Sequence, residues 1–361
     1  MNVLVTGGSG YVGSHVAKML YEHGHLPVVF DLQAKQRPWT NPHWPSISGD
    51  INNKWHLERL FESFKFDAVV HLAASSEVGS SVWNPLEYYR NNVGGSAAVL
   101  TACNQYGVKK FIFSSTSSIY GEVHPSRLPT CEYYPKNPLT SYGSSKLAVE
   151  NMLRDVNVAH SIKSVSLRYF NASGASPDGS IGEWRAKPTH IIPSIQAYLE
   201  GRRENFSVFG TDYETPDGSA VRDYCHVWDI ASAHIKALEY LNNGGDTISI
   251  NVGAGSKGGI SVLEIVKEFE KQLGHSLDVV YADRRAGDIP INYANISLAK
   301  DILGWEPKIS NPYNIVKDAL NWYNSETYKG LLNGQRTHLE TSGIPGQDAH
   351  NKDMGDTPKG I

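Results

Sequence analysis

Tyr142 and Lys146 stand four residues apart in Ser141-Tyr142-Gly143-Ser144-Ser145-Lys146, directly ahead of the apolar run Leu147-Ala148-Val149. That order predicts the opening of a helix, on which residues four apart share a face. A tyrosine with a pKa of ~10 is a poor base at neutral pH. An ammonium beside it favours the phenolate and makes proton abstraction feasible. Taken alone, the pair equally describes a solvated helix start. A hydroxyl cluster, Ser114-Ser115-Thr116-Ser117-Ser118, supplies a possible third member in Thr116.

The opening of the chain indicates what such a base would work with. Asn2-Val3-Leu4-Val5 reads as a buried strand and runs into Thr6-Gly7-Gly8-Ser9-Gly10-Tyr11-Val12-Gly13. Val12, Val16, Met19 and Leu20 then recur at helical spacing. A glycine turn between a strand and a helix lets backbone approach a pyrophosphate seated on the helix N-terminus. Two registers fit, Gly8/Gly10/Gly13 and Gly7/Gly10/Gly13. A second strand, Pro27-Val28-Val29-Phe30, ends in Asp31, 18 positions past Gly13. A carboxylate there bonds ribose hydroxyls and repels a 2′-phosphate, so NAD is expected rather than NADP. The bland alternative is a structural turn. With a dinucleotide bound, the positive nicotinamide joins the ammonium in favouring the phenolate. Lowering the tyrosine pKa by ~3 units takes ~4 kcal/mol of differential interaction, within reach of two cations in a sheltered cleft.

Bulk properties narrow the remaining classes. With 361 residues, the chain can bury a large core and is expected to hold two domains. A formal charge of −4 argues against a nucleic-acid or anionic-membrane partner. No apolar run approaches the ~20 residues of a membrane span. The N-terminus lacks the charged, apolar and cleavage regions of a signal peptide. Cys103, Cys131 and Cys225 are odd in number and far apart, which predicts a reducing, cytoplasmic setting without a disulfide framework. The 14 histidines make no clustered ligand spacing, so no metal is expected and most should lie at the surface or at helix ends.

The elements that must position these groups alternate. Strand-like runs recur at Asp67-Ala68-Val69-Val70-His71-Leu72, Phe111-Ile112-Phe113-Ser114 and Val165-Ser166-Leu167-Arg168-Tyr169, separated by helix-length segments. This predicts an α/β protein with a doubly wound, mostly parallel Rossmann sheet. The polar clusters at Ala73-Ala74-Ser75-Ser76 and Ser114–Ser118 fall at the carboxyl ends of strands, where ligands collect in such sheets. From Asn171 to Ala220 the pattern breaks into Gly, Pro and charged loops, read as a smaller substrate lobe. Ile248-Ser249-Ile250-Asn251-Val252 reads as a strand returning to the sheet. The expected division is 1–170 with a return near 221–255 for the nucleotide domain, and 171–220 with 256–325 for the substrate lobe. Residues 326–361 read as a disordered tail, too poor in large apolar groups to offset ordering entropy.

Further blocks recur in order: Val3 to His15, Pro85-Leu86-Glu87-Tyr88-Tyr89-Arg90-Asn91-Asn92-Val93, Ser141 to Lys146, Leu167-Arg168-Tyr169-Phe170-Asn171, Val221-Arg222-Asp223-Tyr224 and Arg284-Arg285-Ala286-Gly287-Asp288. Together they resemble the extended short-chain dehydrogenase/reductase family. Within it, the chain is similar to the UDP-glucose 4-epimerases over about residues 1 to 310. The resemblance implies that Tyr142 takes the proton of the sugar 4-hydroxyl. Lys146 would hold the nicotinamide ribose and depress the tyrosine pKa, with Thr116 bridging tyrosine and substrate. Hydride would pass from C4 to NAD, leaving a bound 4-keto sugar that turns about its diphosphate link before hydride returns. UDP-glucose and UDP-galactose would thereby interconvert with the cofactor retained.

The same resemblance places the cofactor against Gly7, Gly10, Tyr11, Val12, Gly13, Asp31, Asp50, Ile51, Leu72, Ala73, Ala74, Asn91, Ser114, Tyr142, Lys146 and Tyr169. It places the UDP-sugar against Thr116, Asn171, His190, Ser207, Phe209, Arg222, Arg285, Asp288 and Asn292. The arginines suit a diphosphate, which calls for charge-assisted, often bidentate donors. Their structural alternative is a salt bridge with Asp223 or Asp288, and Phe209 reads equally well as core. A homodimer is implied through the helices after Pro85 and after Gly143.

Departures from the family pattern set the open choices. Ser76 stands where some members carry a lysine, and Thr116 replaces a serine while keeping the hydroxyl. Asn292 stands where a tyrosine in some relatives blocks N-acetylated sugars, so UDP-GlcNAc and UDP-GalNAc are expected as further substrates. A 4-epimerase of UDP-pentoses or UDP-uronates is the nearest competitor. Dehydratases need acid/base carboxylates just after the threonine, where this chain has Ser117 and Ser118. A non-catalytic NAD-binding protein commonly loses the tyrosine or lysine, and both are kept here.

Overall fold

The computed structural model describes residues 1–34, 43–185, 188–255, 258–285 and 288–332. Its first half alternates strands and helices: β1 (Asn2–Thr6), α1 (Tyr11–Glu22), β2 (Leu26–Asp31), β3 (Ser46–Ser48), α2 (Lys54–Ser63) and β4 (Ala68–His71). Two short helices, α3 (Val78–Trp83) and α4 (Pro85–Tyr88), lead through a π-helical turn at Tyr89–Gly94 into α5 (Gly95–Gln105). Then follow β5 (Lys110–Thr116), α6 (Ser141–His160) and β6 (Lys163–Tyr169). Val3, Leu4, Val5, Val69, Val70 and Ile112 are wholly buried, as continuous apolar runs in a sheet covered on both faces must be.

The second half is β7 (Asn171–Ser173), α7 (Ile191–Leu199), β8 (Phe206–Phe209), β9 (Val221–Arg222), β10 (Tyr224–His226) and α8 (Val227–Asn242). It continues with β11 (Ile248–Val252), β12 (Ile260–Ser261), α9 (Val262–Leu273), β13 (Val279–Ala282), β14 (Ile291–Asn292), α10 (Ser297–Leu303) and α11 (Pro312–Tyr323). The main sheet runs β11-β6-β5-β4-β1-β2-β3 with every pair parallel. Chain order reverses between β1 and β4, which opens a crevice at the carboxyl ends of these strands. Helices α1 and α8 pack on one face through Val16, Leu20, Ile230 and Leu238. Helices α2, α5 and α6 cover the other through Leu57, Val99, Val149 and Leu153. The result is a doubly wound Rossmann sheet.

A second core gathers Ile192, Ile195, Ile265, Phe269, Ile315 and Trp322 from α7, α9 and α11. Three small sheets, β10-β7, β12-β9-β14 and β13-β8, complete this lobe. Strand β11 rejoins the main sheet beside β6, in register Ile248 to Val165. The boundaries otherwise differ from the expected ones. Residues 297–305 lie against the nucleotide sheet rather than in the substrate lobe, because Ala299, Leu303 and Trp305 bury themselves beside α8. Strand β9, expected with the returning segment, pairs inside the substrate lobe. Residues 326–332 are helical rather than tail, anchored by Tyr328 at 2% exposure among Trp184, Trp322 and Tyr323. The rest of the expected tail, 333–361, lies outside the described residues.

Among the described residues, four histidines are buried. His15 and His234 reach back to the carbonyls of Tyr11 and Ile230, four residues earlier on their helices, at 2.7 and 2.9 Å. His71 sits between the hydroxyls of Thr6 and Ser96 at 2.7 and 2.9 Å. His226 lies 3.3 Å from Asp318. Each ring finds at least one hydrogen-bond partner, His226 through Trp228 N at 3.1 Å, while Nε2 of His15 and of His226 has none among the described residues.

Candidate active site

The glycine turn after β1 adopts the Gly7/Gly10/Gly13 register. Gly7 has φ of +70° and donates to the Phe30 carbonyl at 2.9 Å, while Gly10 N–H donates to the Gly7 carbonyl at 3.1 Å. A Cβ on Gly13 would lie 2.1 Å from the Gly7 oxygen, and one on Gly7 would lie 2.6 Å from the Ala73 nitrogen. Gly8 faces inward instead, against Val29. Gly10 caps α1 without a side-chain hydrogen bond, so the first-turn donors and the helix dipole open onto the crevice. Asp31 closes β2 beside this turn, and its carboxylate accepts from Ser9 N at 3.1 Å and Gln33 N at 2.9 Å.

One continuous cleft runs from this cradle between the lobes. Its wall includes Gly7, Gly10, Tyr11, Val12, Gly13, Asp31, Asp50, Ile51, Leu72, Ala73, Ala74, Asn91, Ser114, Thr116, Tyr142 and Tyr169. On the opposite side stand Asn171, His190, Arg222, Arg285, Asp288 and Asn292. Lys146, Ser207 and Phe209 are absent from the wall. Ser207 and Phe209 alternate with the buried Phe206 and Val208 on β8, and the Arg285 guanidinium stacks 4.7 Å from the Phe209 ring. Ala286 and Gly287 lie outside the described residues. Asn292 pairs with Arg222 across β14 and β9.

Thr140 starts α6 by accepting from Gly143 N at 3.3 Å, which turns Tyr142 toward the end of β5. Its phenol faces the Thr116 hydroxyl, which donates to Ser118 Oγ and accepts from Ser118 N, both at 3.1 Å. Lys146 lies behind, 3% exposed, donating to the Ser114 carbonyl at 2.8 Å. Burial alone pulls this ammonium down to about 7. Burial likewise raises the Tyr142 phenol, and the nearby Thr116 hydroxyl only partly opposes that. The expected depression by the lysine is therefore not a property of these residues by themselves: the lysine's own charge is disfavoured where it sits. A further cation in the cleft would be needed to bring the phenolate into range.

The salt-bridge alternative for the arginines is partly realised. Arg222 and Arg285 both reach Asp288, at 3.7 and 3.0 Å. Asp223 pairs with neither; its buried carboxylate accepts from the Ala254 and Ala294 amides. Sequence reasoning passed over Asn92, which is 2% exposed in the π-helical turn. Asn92 accepts from Ser75 N at 2.8 Å and donates to Ser75 O and Ser145 Oγ, both at 3.0 Å, tying the loop after β4 to α6. A buried asparagine beside the cleft-lining Asn91 was the available signal. Among the described residues, no group of three or more His, Cys, Asp or Glu could hold a metal ion. No helix there is long and apolar enough to cross a membrane.

Residues 3–253 match the model of a family described as the NAD dependent epimerase/dehydratase family. The chain is 44% identical over 325 residues to a UDP-glucose 4-epimerase of Azospirillum brasilense, covering 90% of this chain and 92% of that one. Its structure is similar to that of UDP-glucose 4-epimerase from Brucella ovis in complex with NAD, with a TM-score of 0.84, 43% identity, and 89% and 98% of the two chains covered. It is also similar to the UDP-Glc/GlcNAc 4-epimerase of Campylobacter jejuni, with a TM-score of 0.76, 37% identity, and coverage of 89% and 98%.

Proposed function

The chain belongs to the NAD dependent epimerase/dehydratase family, and from that membership and the shape of its cleft we propose that it interconverts UDP-glucose and UDP-galactose. The reaction is oxidation at C4 to a bound 4-keto sugar, rotation, and reduction on the opposite face. NAD, when bound, supplies the hydride acceptor and donor for both halves. The observation that carries this reading is the meeting of Tyr142 and Thr116 at the end of β5 with the bare glycine cradle beside them.

In this proposal the first-turn donors of α1 hold the pyrophosphate, and Asp31 takes the adenosine ribose. Asp50 and Ile51 flank the adenine, and Asn91 stands near the cofactor. Tyr142 accepts the 4-hydroxyl proton and later returns it, with Thr116 bridging phenol and sugar. Lys146 fixes the ribose from behind. Arg222 and Arg285, pre-set by Asp288, receive the diphosphate, while Asn171 and His190 complete that wall. Ser207 and Phe209, on β8 beside Arg285, border the nucleotide end. Asn292, half-buried in the cleft wall, leaves room beside the sugar, which favours UDP-GlcNAc and UDP-GalNAc as additional substrates. The similarity to the Campylobacter protein supports this breadth.

A homodimer is part of the proposal. Trp83 and Leu86, 78% and 82% exposed on α3 and α4, and Val158 on α6 supply apolar surface of the kind that associates. The three free cysteines fit a reducing cytosol. The deciding experiment incubates purified protein with a panel of UDP-sugars, without added NAD, and separates the products. Epimers of UDP-glucose and UDP-galactose are expected, and their absence with every UDP-sugar would overturn the assignment.

A further inference from the structure

We propose that Glu150, clamped by Arg168, is a positioning residue that sets the stance of Tyr142 and Lys146 against β5. Glu150 follows Lys146 by four residues and Tyr142 by eight, so all three share one face of α6. Arg168 on β6 grips its carboxylate with a fork, Nε to Oε1 at 3.0 Å and Nη2 to Oε2 at 2.6 Å. The two side chains are 5% and 6% exposed. Ser115 Oγ donates to Oε1 at 2.5 Å and Ser249 Oγ donates to Oε2 at 3.2 Å. Three adjacent strands of the sheet, β5, β6 and β11, therefore each commit a side chain to this one carboxylate.

The location of Ser115 gives the network its consequence. It stands between Ser114, whose carbonyl accepts from Lys146, and Thr116, whose hydroxyl faces the Tyr142 phenol. The strand that holds Glu150 thus also carries the partners of both functional side chains. A helix rises ~1.5 Å per residue and is stiff over two turns. A displacement at Glu150 is consequently delivered to the phenol some ~12 Å away. Misplacement of a reacting group by ~1 Å can cost on the order of 10²-fold in rate.

Stability by itself does not call for this arrangement. A well-packed apolar pair at the same place is often as stable or more so than a buried ion pair. What the fork adds is a fixed direction. The free arm of Arg168 is committed as well: Nη1 donates to Tyr120 OH at 2.8 Å, and that hydroxyl donates to Asn251 Oδ1 at 2.7 Å. A fully satisfied polar network of this kind rigidifies its surroundings.

The test rests on the reading of Tyr142 as the base, and it uses the whole chain with its retained cofactor. Glu150→Gln keeps the size and removes the charge; Arg168→Lys keeps the charge and removes the fork. Both should lower kcat by roughly ten- to a hundredfold, while KM for UDP-galactose and the bound NAD content stay within about twofold. Leu153→Val loosens the same helix through the apolar core and should lower Tm while leaving kcat within about twofold. Should the charged-pair variants not fold, Tyr120→Phe deletes only the hydroxyl against Arg168, and a drop of roughly threefold or more in kcat at unchanged KM is expected. The proposal is overturned if the folded variants keep kcat, or if Leu153→Val loses kcat as they do. Absence of epimerisation by the unaltered protein would instead sink the reading on which it rests.

Discussion

The Lys146 ammonium lies 6.0 Å from the centre of the Tyr142 ring, while one of its protons is committed to the Ser114 carbonyl at 2.8 Å. Both groups are driven toward neutrality by burial, the lysine down to about 7 and the phenol upward. If the pair is the proposed base, its strength depends on charge brought into the cleft. Such an arrangement suits a reaction that must begin only when the site is filled.

Replacing Tyr142 with Phe removes the proposed proton acceptor and leaves the ring. General acid–base groups contribute ~10²- to 10⁴-fold, so kcat should fall by that range. The hydroxyl borders the cleft, so Tm should move little. Steady-state rates with UDP-galactose, together with a thermal melt, check both halves. Retained turnover would assign the base elsewhere.

Gly13 leaves no room for a side chain, since its Cβ would press to 2.1 Å from the Gly7 oxygen. Gly13→Ala must therefore splay the turn and withdraw the first-turn amides from the proposed pyrophosphate position. The variant should purify with NAD reduced by tenfold or more, on the order of a lost charge-assisted hydrogen bond or two. Nucleotide released on denaturation, measured by chromatography, gives the answer. An undiminished NAD content would mean that the cofactor is held from elsewhere in the cleft.

The strands of the nucleotide domain were readable because burial on both faces leaves unbroken apolar runs, as in Val3-Leu4-Val5 and Ala68-Val69-Val70. The glycine register was not, since three glycines fit either spacing and only the positive φ of Gly7 and the inward turn of Gly8 separate them. Most of the candidate cleft residues were named from motifs that keep backbone and ligand close. Arg185 and Trp184, which also line the cleft, carry no such motif, because their placement follows from how a long loop crosses the lobe. Tyr328 shows a further limit: one aromatic in a polar stretch can anchor a helix when three other rings wait for it. Composition averages over that single contact.

Asn292 and Arg222 pair across β14 and β9, so residue 292 stands on the same wall as a proposed diphosphate ligand. Asn292→Tyr fills this part of the cleft with a ring. Turnover of UDP-GlcNAc should fall by tenfold or more, while that of UDP-glucose stays within about threefold, because steric exclusion acts on the added acetyl group. Paired kcat/KM values for the two sugars decide it. Equal losses on both would place residue 292 outside the sugar's reach.

Acid should weaken the fold well above the usual carboxylate range. Burial holds His15 and His234 at about 4 and His71 at about 3, against ~6.5 in an unfolded chain. Their neutral forms favour the folded state fully above ~6.5, and that contribution is lost as pH falls through the window toward 4. Asp223 works in the opposite sense: burial raises it to about 6, so the folded state takes up a proton there before the unfolded chain does. For these four groups, three protons bound by the unfolded chain less one bound by the folded leave two between about pH 5.5 and 4.5, a slope of about 3 kcal/mol per pH unit. Urea unfolding followed by fluorescence at stepped pH measures this slope. Stability that stays level from pH 6.5 to 4.5 would show that these imidazoles take up protons within the folded protein.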